Sequence, residues 1–441
     1  MFELKSTFKP ICRAVIVGVC WGGESWEQTK SLLDELSELV DALGVQVIEC
    51  MMIKSRKPQA HLLVGNGKAA QIIQCAREKG AGVIIFDHPI TPAQQRNWET
   101  LSNLAVIDRE EVILDIFARR AHTREARLQV ELARMEYSLP RLTRAWQHLE
   151  RQAGTGFGMT GAGETQLETD RRLIRKRIDR LKLELAKVRL QRATRRKSRF
   201  RETKGPSIPH TAIVGYTNAG KSSLFRRLTG AHVLVEDKLF ATLDTTTHRV
   251  DLPRGTSIFL TDTVGFVRKL PHRLVESFKA TLEESVLADF LIHVLDVTNE
   301  AVLEFYDTTM DVLEELGANM KRMIIVFNKI DLQHDPVRRA SLQRRFPDAV
   351  FVSTRTGEGF EELYGYMEDL FTDRWIRRDL LIPQSRYHLI SELHQSASII
   401  AKCYEGDDVR LTVSISPKML ARYEEYIVNG CSKPQEVEEE L

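Results

Sequence analysis

Eight consecutive residues carry the clearest chemical signal in the chain: Gly215, Tyr216, Thr217, Asn218, Ala219, Gly220, Lys221 and Ser222. They read Gly-x-x-x-x-Gly-Lys-Ser, between an apolar run (210–214) and a helical pattern that starts at Ser223. Strand, glycine loop and helix start, in that order, wrap backbone N–H groups around phosphate oxygens, and the helix dipole adds positive potential there. Lys221 is then placed to reach the β- and γ-phosphates of a nucleoside triphosphate, and the Ser222 hydroxyl to ligate Mg2+. Alone, the loop selects phosphates and leaves the base open.

Three later segments fix the base. An apolar run (257–261) ends in Asp262-Thr263-Val264-Gly265. Asp262 can hold the magnesium shell, and Gly265 can offer its N–H to the γ-phosphate with no side chain in the way. A second run (323–327) ends in Asn328-Lys329-Ile330-Asp331. The Asp331 carboxylate can accept two hydrogen bonds from the N–H edge of guanine, which adenine cannot donate. Asn328 suits the opposite edge, and the Lys329 stem can cover the ring. After a third run (350–352), Ser353-Thr354-Arg355 can present a backbone N–H to the guanine carbonyl, the alternative being an ordinary strand-to-helix loop. All these segments fall at carboxyl ends of strands, where such folds bind ligands.

Two positions bear on mechanism. A magnesium-binding hydroxyl is expected from Phe240-Ala241-Thr242-Leu243-Asp244-Thr245-Thr246-Thr247, where spacing leaves Thr242, Thr245, Thr246 and Thr247 open. Phe266 follows Asp-x-x-Gly at a position where a glutamine would orient the attacking water, and phenylalanine cannot do so. Slow intrinsic hydrolysis is therefore predicted, with Lys221, Mg2+ and backbone donors carrying the charge and an accelerating group coming from elsewhere. Asn218 either shapes the loop or holds a potassium ion whose charge replaces an arginine finger.

Strand candidates at 12–18, 45–50, 82–87 and 104–107 alternate with helical patterns at 26–43, 67–79 and 91–102, which predicts a parallel α/β domain over 1–122. Gly65-Asn66-Gly67-Lys68 within it is a turn or helix start, with an accessory ATP site as the alternative. Leu128, Leu132, Met135, Leu139, Leu142, Trp146 and Leu149 form one heptad seam, expected to kink at Pro140. A glycine-rich break (154–163) separates it from a second seam of Leu167, Ile174, Ile178, Leu181, Leu185 and Val188. The two predict an antiparallel coiled-coil helical hairpin over 123–206. A nucleotide-binding α/β domain over 207–376 and a small α+β unit over 377–441 complete the chain. In the last unit helices are expected near 385–402 and 417–427, with a turn at 405–408 and a strand at 409–415.

From Asp170 to Lys204 the chain carries 16 Lys and Arg against 4 Asp and Glu. That is either a solvated helical face or a field for polyanions, with nucleic acid or a nucleoprotein surface as the sharper reading. The net charge of +2 conceals this imbalance. Six scattered cysteines without a Cys-x-x-Cys pair argue against a zinc site or a disulfide framework. No apolar run reaches bilayer-spanning length, so a soluble, cytoplasmic monomer without membrane insertion is expected.

Several strings together resemble the HflX family of translational GTPases. They are Phe240-Ala241-Thr242-Leu243-Asp244, Asp262-Thr263-Val264-Gly265-Phe266, the Gly-Glu-Thr-Gln-Leu-Glu-Thr-Asp-Arg-Arg run at 163–172, Val64-Gly65-Asn66-Gly67-Lys68 and Leu128-Gln129-Val130-Glu131-Leu132-Ala133. The resemblance spans nearly the whole chain. It implies a Ras-like P-loop GTPase domain, Thr242 as the magnesium threonine, and a GTP-linked action on the large ribosomal subunit and its RNA. That action is the splitting or rescue of stalled ribosomes under stress. In the family's glycine-rich loop an arginine and a proline usually stand where this chain has Thr160 and Ala162.

Overall fold

The computed structural model describes residues 12–142, 162–202, 208–230, 239–240, 245–269, 284–372, 376–415 and 420–428, except positions 24, 319–320, 334 and 397. The expected switch residues Ala241, Thr242, Leu243 and Asp244, the glycine-rich segment up to Gly161, and Trp146 and Leu149 lie outside the described residues.

The N-terminal unit is a parallel sheet in the order β2-β1-β3-β4, with β1 Arg13–Trp21, β2 Gln46–Ser55, β3 Val83–Phe86 and β4 Ala105–Asp108. Strand β1, rich in valine and isoleucine, is buried along seven successive residues, as a strand covered on both faces must be. Its helices begin on side-chain caps. Ser25 accepts from the Glu27 N–H to start α1 (Trp26–Ala42). Thr91 and Gln94 form a capping box before Pro92, after α2 (Asn66–Glu78) and at the head of α3 (Pro92–Ser102). Gly65 caps α2 through its backbone conformation with no side-chain bond, so the Gly65–Lys68 loop is a helix start in the fold.

Helix α4 (Arg109–Arg120) leads into α5 (Arg124–Ser138), which stops where Pro140 removes a donor; a short 3-10 turn, Leu139–Arg141, follows. Proline thus interrupts the regular helix at this point, and the continuation expected beyond Leu142 lies outside the described residues. The long helix α6, Ala162–Glu202, lays Ile174, Ile178, Leu181, Leu185 and Val188 against Leu128, Leu132, Met135 and Leu139, so the two expected seams do meet. Their direction differs from expectation. Ion pairs join Glu131 to Arg177 and Glu136 to Lys182, so the register advances together and the described helices run parallel. Heptad spacing specifies which residues face inward and is indifferent to direction.

The nucleotide-binding unit carries six strands in the order β10-β9-β8-β5-β7-β6. They are β5 His210–Gly215, β6 Thr246–Asp251, β7 Ser257–Asp262, β8 Phe290–Asp296, β9 Met323–Asn328 and β10 Val350–Phe351. All pairs are parallel except β6 with β7. Helices α7 (Lys221–Thr229), α8 (Val302–Glu315), α9 (Pro336–Arg345) and α10 (Phe360–Thr372) complete it. One apolar cluster runs without a break from the N-terminal unit into this one, from Leu36 and Phe117 to Tyr216, Phe240 and Phe266.

The C-terminal unit is an antiparallel sheet, β11 (Ile376–Pro383), β13 (Asp408–Ile415) and β12 (Ser398–Glu405), packed on α11 (Tyr387–Ser396). The expected helix over 385–402 is shorter than that, because Ile399 and its neighbours pair with β13 across the tight turn at Gly406, φ 61. Near the end of the chain, Ala421–Tyr426 is a 3-10 turn rather than an α-helix.

A buried histidine makes the nucleotide-binding unit acid-sensitive. His293, in the middle of β8, is fully buried with its ring stacked on Tyr306. Burial, reinforced by the Lys221 charge, pushes its pKa down to about 3. An unfolded histidine titrates near 6.5. Between those values the unfolded chain takes up a proton that the folded chain refuses. Stability is thus present above about pH 6.5 and lost as pH falls towards 3, by about 1.4 kcal/mol per unit. Urea unfolding at pH 7.5 and 5.5 should cost the native protein about 1.4 kcal/mol more than His293→Leu. Equal losses would dismiss the histidine as the cause.

Candidate functional site

The phosphate loop leaves the end of β5 and enters α7 through Gly220, whose φ of 93° suits glycine. A Cβ there would stand 2.1 Å from the Asn328 amide nitrogen, so loop and base-reading segment touch at this point. The Asn328 side chain donates to the Ala219 carbonyl at 2.9 Å and accepts from the Thr354 N–H at 3.1 Å. Asn328 thus ties the loop to the Ser353–Arg355 segment with one amide proton and one oxygen lone pair, and a carboxamide carries two of each.

Ser222 and Asp262 meet as expected, the hydroxyl donating to the carboxylate at 2.6 Å. A hydroxyl and a carboxylate are the hard oxygen donors that Mg2+ prefers, with phosphate oxygens and water to complete the shell. Lys221 is buried, and its ammonium donates to the Tyr216 carbonyl at 2.6 Å. Burial draws its pKa down to about 8 against the opposing pull of Asp262. Thr263 anchors the Asp-x-x-Gly segment by donating to the Ile213 carbonyl at 2.6 Å. Val264 and Phe266 belong to the apolar core, and Phe266 offers no polar atom to a water. Of the described switch threonines, Thr246 and Thr247 lie within β6, where the Thr247 hydroxyl meets that of Thr261 at 2.7 Å.

The residues expected to read guanine are brought together. Asp331 accepts from the Ser353 hydroxyl at 2.6 Å, which holds the carboxylate in place. Lys329 takes a left-handed φ of 67° and pairs with Asp296 at 2.7 Å. Ile330 is buried beneath them. Sequence reasoning passed over Arg227, whose guanidinium donates to the carbonyls of Thr354, Arg355 and Thr356 and so fixes the last loop. A lone arginine on a helix, some 127 residues from its partners, carries no local signal. Asn218 is exposed with φ 59, a conformation asparagine tolerates, so loop shaping accounts for its residue type.

The contacts of Tyr216, Arg268 and Lys269 with the N-terminal unit carry no local signal in the sequence. Tyr216 stacks on Phe305 at 3.9 Å and donates its hydroxyl proton to Glu35 of α1. Arg268 reaches the same carboxylate at 2.9 Å, and Lys269 reaches Asp87 at 2.8 Å. Arg109, buried, joins Glu35 and Asp87 at 2.9 and 2.7 Å. Burial penalises the Asp87 charge, but Arg109 and Lys269 outweigh that and hold its pKa below the usual carboxylate range. A cleft of about 660 Å³ lies beside this cluster, lined by the α1 carboxylates and by Tyr216, Thr217, Asn218 and Ala219.

A glycine loop on a helix start, a serine–aspartate pair for magnesium and an Asn-Lys-x-Asp segment, all at one edge of a mostly parallel sheet, define a P-loop GTPase. Residues 30–118 match the family described as "GTP-binding GTPase N-terminal", 120–199 "GTP-binding GTPase Middle Region", and 210–329 "50S ribosome-binding GTPase". The chain is 44% identical over 441 residues to the GTPase HflX of Akkermansia muciniphila, covering 97% of this chain and 100% of that protein. To the GTPase HflX of Escherichia coli K12 it is 42% identical over 388 residues, 88% of this chain and 89% of that one. A GTP-binding protein from Sulfolobus solfataricus, solved in complex with GDP, is similar at 24% identity, with a TM-score of 0.44, over 82% of this chain and 99% of its own. The chain belongs to the HflX family and is a GTPase. Among the described residues no helix is long and apolar enough to cross a membrane.

Proposed function

We propose that this GTPase binds the large ribosomal subunit in the cytoplasm and couples GTP binding and hydrolysis to splitting or rescue of stalled ribosomes. The observation that carries the reading is α6. It is a single helix of 41 residues whose Arg171, Arg172, Arg175, Lys176 and Arg180 are exposed while its apolar seam is covered. A rod with one face packed and the others basic fits ribosomal RNA, since phosphates reward such a field through counterion release. The match to a 50S ribosome-binding GTPase family supports the same partner.

In this reading Lys221 and the N–H groups of Gly215 to Ser222 hold the phosphates, and Asp331, backed by Ser353, reads the guanine edge. Ser222, Asp262 and Thr242 would hold Mg2+, which would supply positive charge to the phosphates. Gly265 presents its N–H to the γ-phosphate. Phe266 contributes no hydrogen bond to the attacking water, so the subunit must complete the site. Hydrolysis measured with and without purified large subunits should rise on their addition by roughly two orders of magnitude or more, the scale of a charge supplied in trans. Sedimentation should show intact ribosomes dissociating with GTP and not with GDP. An isolated rate equal to the stimulated rate, or ribosomes that stay intact, would defeat the proposal.

A further inference from the structure

We propose that Tyr216 and Arg268, latched to Glu35 of the N-terminal unit, set the preference of the site between GDP and GTP. The inference rests on the GTPase site alone and goes beyond the ribosomal reading.

The segment after Asp262 lies across the phosphate loop. The Thr217 N–H donates to the Phe266 carbonyl at 2.8 Å, and the Phe266 N–H donates to the Gly215 carbonyl at 3.1 Å. Gly265 is pressed so close that a Cβ on it would stand 2.8 Å from both the Lys221 ammonium and the Thr217 Cα. A γ-phosphate held by Lys221 and by the Gly265 N–H has to enter between these groups. Its entry must lift Gly265 and Phe266 and exchange the Thr217–Phe266 bond. A diphosphate ends at the β-phosphate, which the loop and helix N–H groups hold, and it asks for no such movement.

What resists the movement is a buried polar cluster shared by the two units. The Tyr216 hydroxyl accepts the Arg268 N–H at 2.7 Å while donating its own proton to Glu35. The Arg268 guanidinium donates to Glu35 at 2.9 Å and to the carbonyl and hydroxyl of Ser31 at 3.0 and 2.9 Å. Glu35 is 7% exposed and the Arg268 side chain 11%, so lifting the segment strips hydrogen bonds from charges with little access to water. Tyr216 belongs to the loop itself, so its hydroxyl ties the moving segment to a part that stays. It acts as a positioning residue.

The test uses the full chain without ribosomes. Tyr216→Phe deletes one hydroxyl, and Arg268→Ala removes the other half of the latch while leaving Arg109 to neutralise Glu35. Affinities for GDP and for a non-hydrolysable GTP analogue, both with Mg2+, are measured by competition against a fluorescent nucleotide. In each variant the analogue should gain affinity relative to GDP by roughly tenfold, within the usual range of coupling between sites. The double variant should gain little more than either single one, because both cut the same latch. An unchanged ratio, equal weakening of both nucleotides, or full additivity in the double variant would overturn the proposal. A failure of the ribosomal reading would leave every one of these outcomes untouched.

Discussion

Asp331→Asn is expected to lose GTP and to accept xanthosine triphosphate. Guanine offers two adjacent N–H groups, and the carboxylate takes both; asparagine has one acceptor and a donor that faces the guanine amine. Two hydrogen bonds to a charged group are worth about 3 kcal/mol or more, so GTP affinity should fall roughly a hundredfold or more. Xanthine carries a carbonyl in place of the amine, and the new amide can donate to it. The Ser353 hydroxyl, 2.6 Å from Asp331, can keep its bond to the remaining oxygen and hold the new side chain in the same place. Competition binding with the two nucleotides reads the exchange. A variant that keeps its GTP affinity and ignores xanthosine triphosphate would mean that Asp331 does not read the base.

The second large effect is expected at Lys221. It is buried and made easier to deprotonate, with a pKa of about 8, so the charged form is costly until phosphates arrive beside it. That cost makes it responsive to charge that develops in the transition state. Lys221→Ala should lower single-turnover GTP hydrolysis by roughly a hundred- to a thousandfold at saturating GTP, the scale of one lost electrostatic donor. Lys221→Arg should fail to restore it, because a buried seat made for one ammonium does not match the larger planar guanidinium. A rate in either variant within a few-fold of the native protein would remove Lys221 from the chemistry.

Much of the site was legible because local rules dominate there. Gly220, Lys221, Ser222, Asp262 and Asp331 each stand at a strand end or helix start where the backbone dictates the residue type, and the fold brings them to one edge of the sheet. Strands such as β1 declared themselves by short valine- and isoleucine-rich runs, because both of their faces are buried. What escaped was set by tertiary contact. The ties from Asn328 to Ala219 and Thr354 are a pairing that only the folded loop creates. Strand β12 read as the tail of a helix, since pairing with β13 decides its state and its own pattern does not. Glu35 and Arg268 lie 233 positions apart and resemble any other exposed charges on their elements.

The parallel packing of α6 has a mechanical consequence. At about 1.5 Å per residue its 41 residues make a rod roughly 62 Å long. Its apolar grip extends from Ile174 to Val188, about 21 Å of that length. A rod clamped near its middle is a lever. A tilt of about 10° at the clamp carries an end some 30 Å away through about 5 Å, the rise of one helical turn. The clamping helix α5 packs through Ala126, Val130 and Ala133 on the core of the N-terminal unit, whose Glu35 holds Tyr216 of the phosphate loop. A small tilt at the packed seam therefore reaches the tips of this rod as a displacement several times larger than the movement at the seam itself.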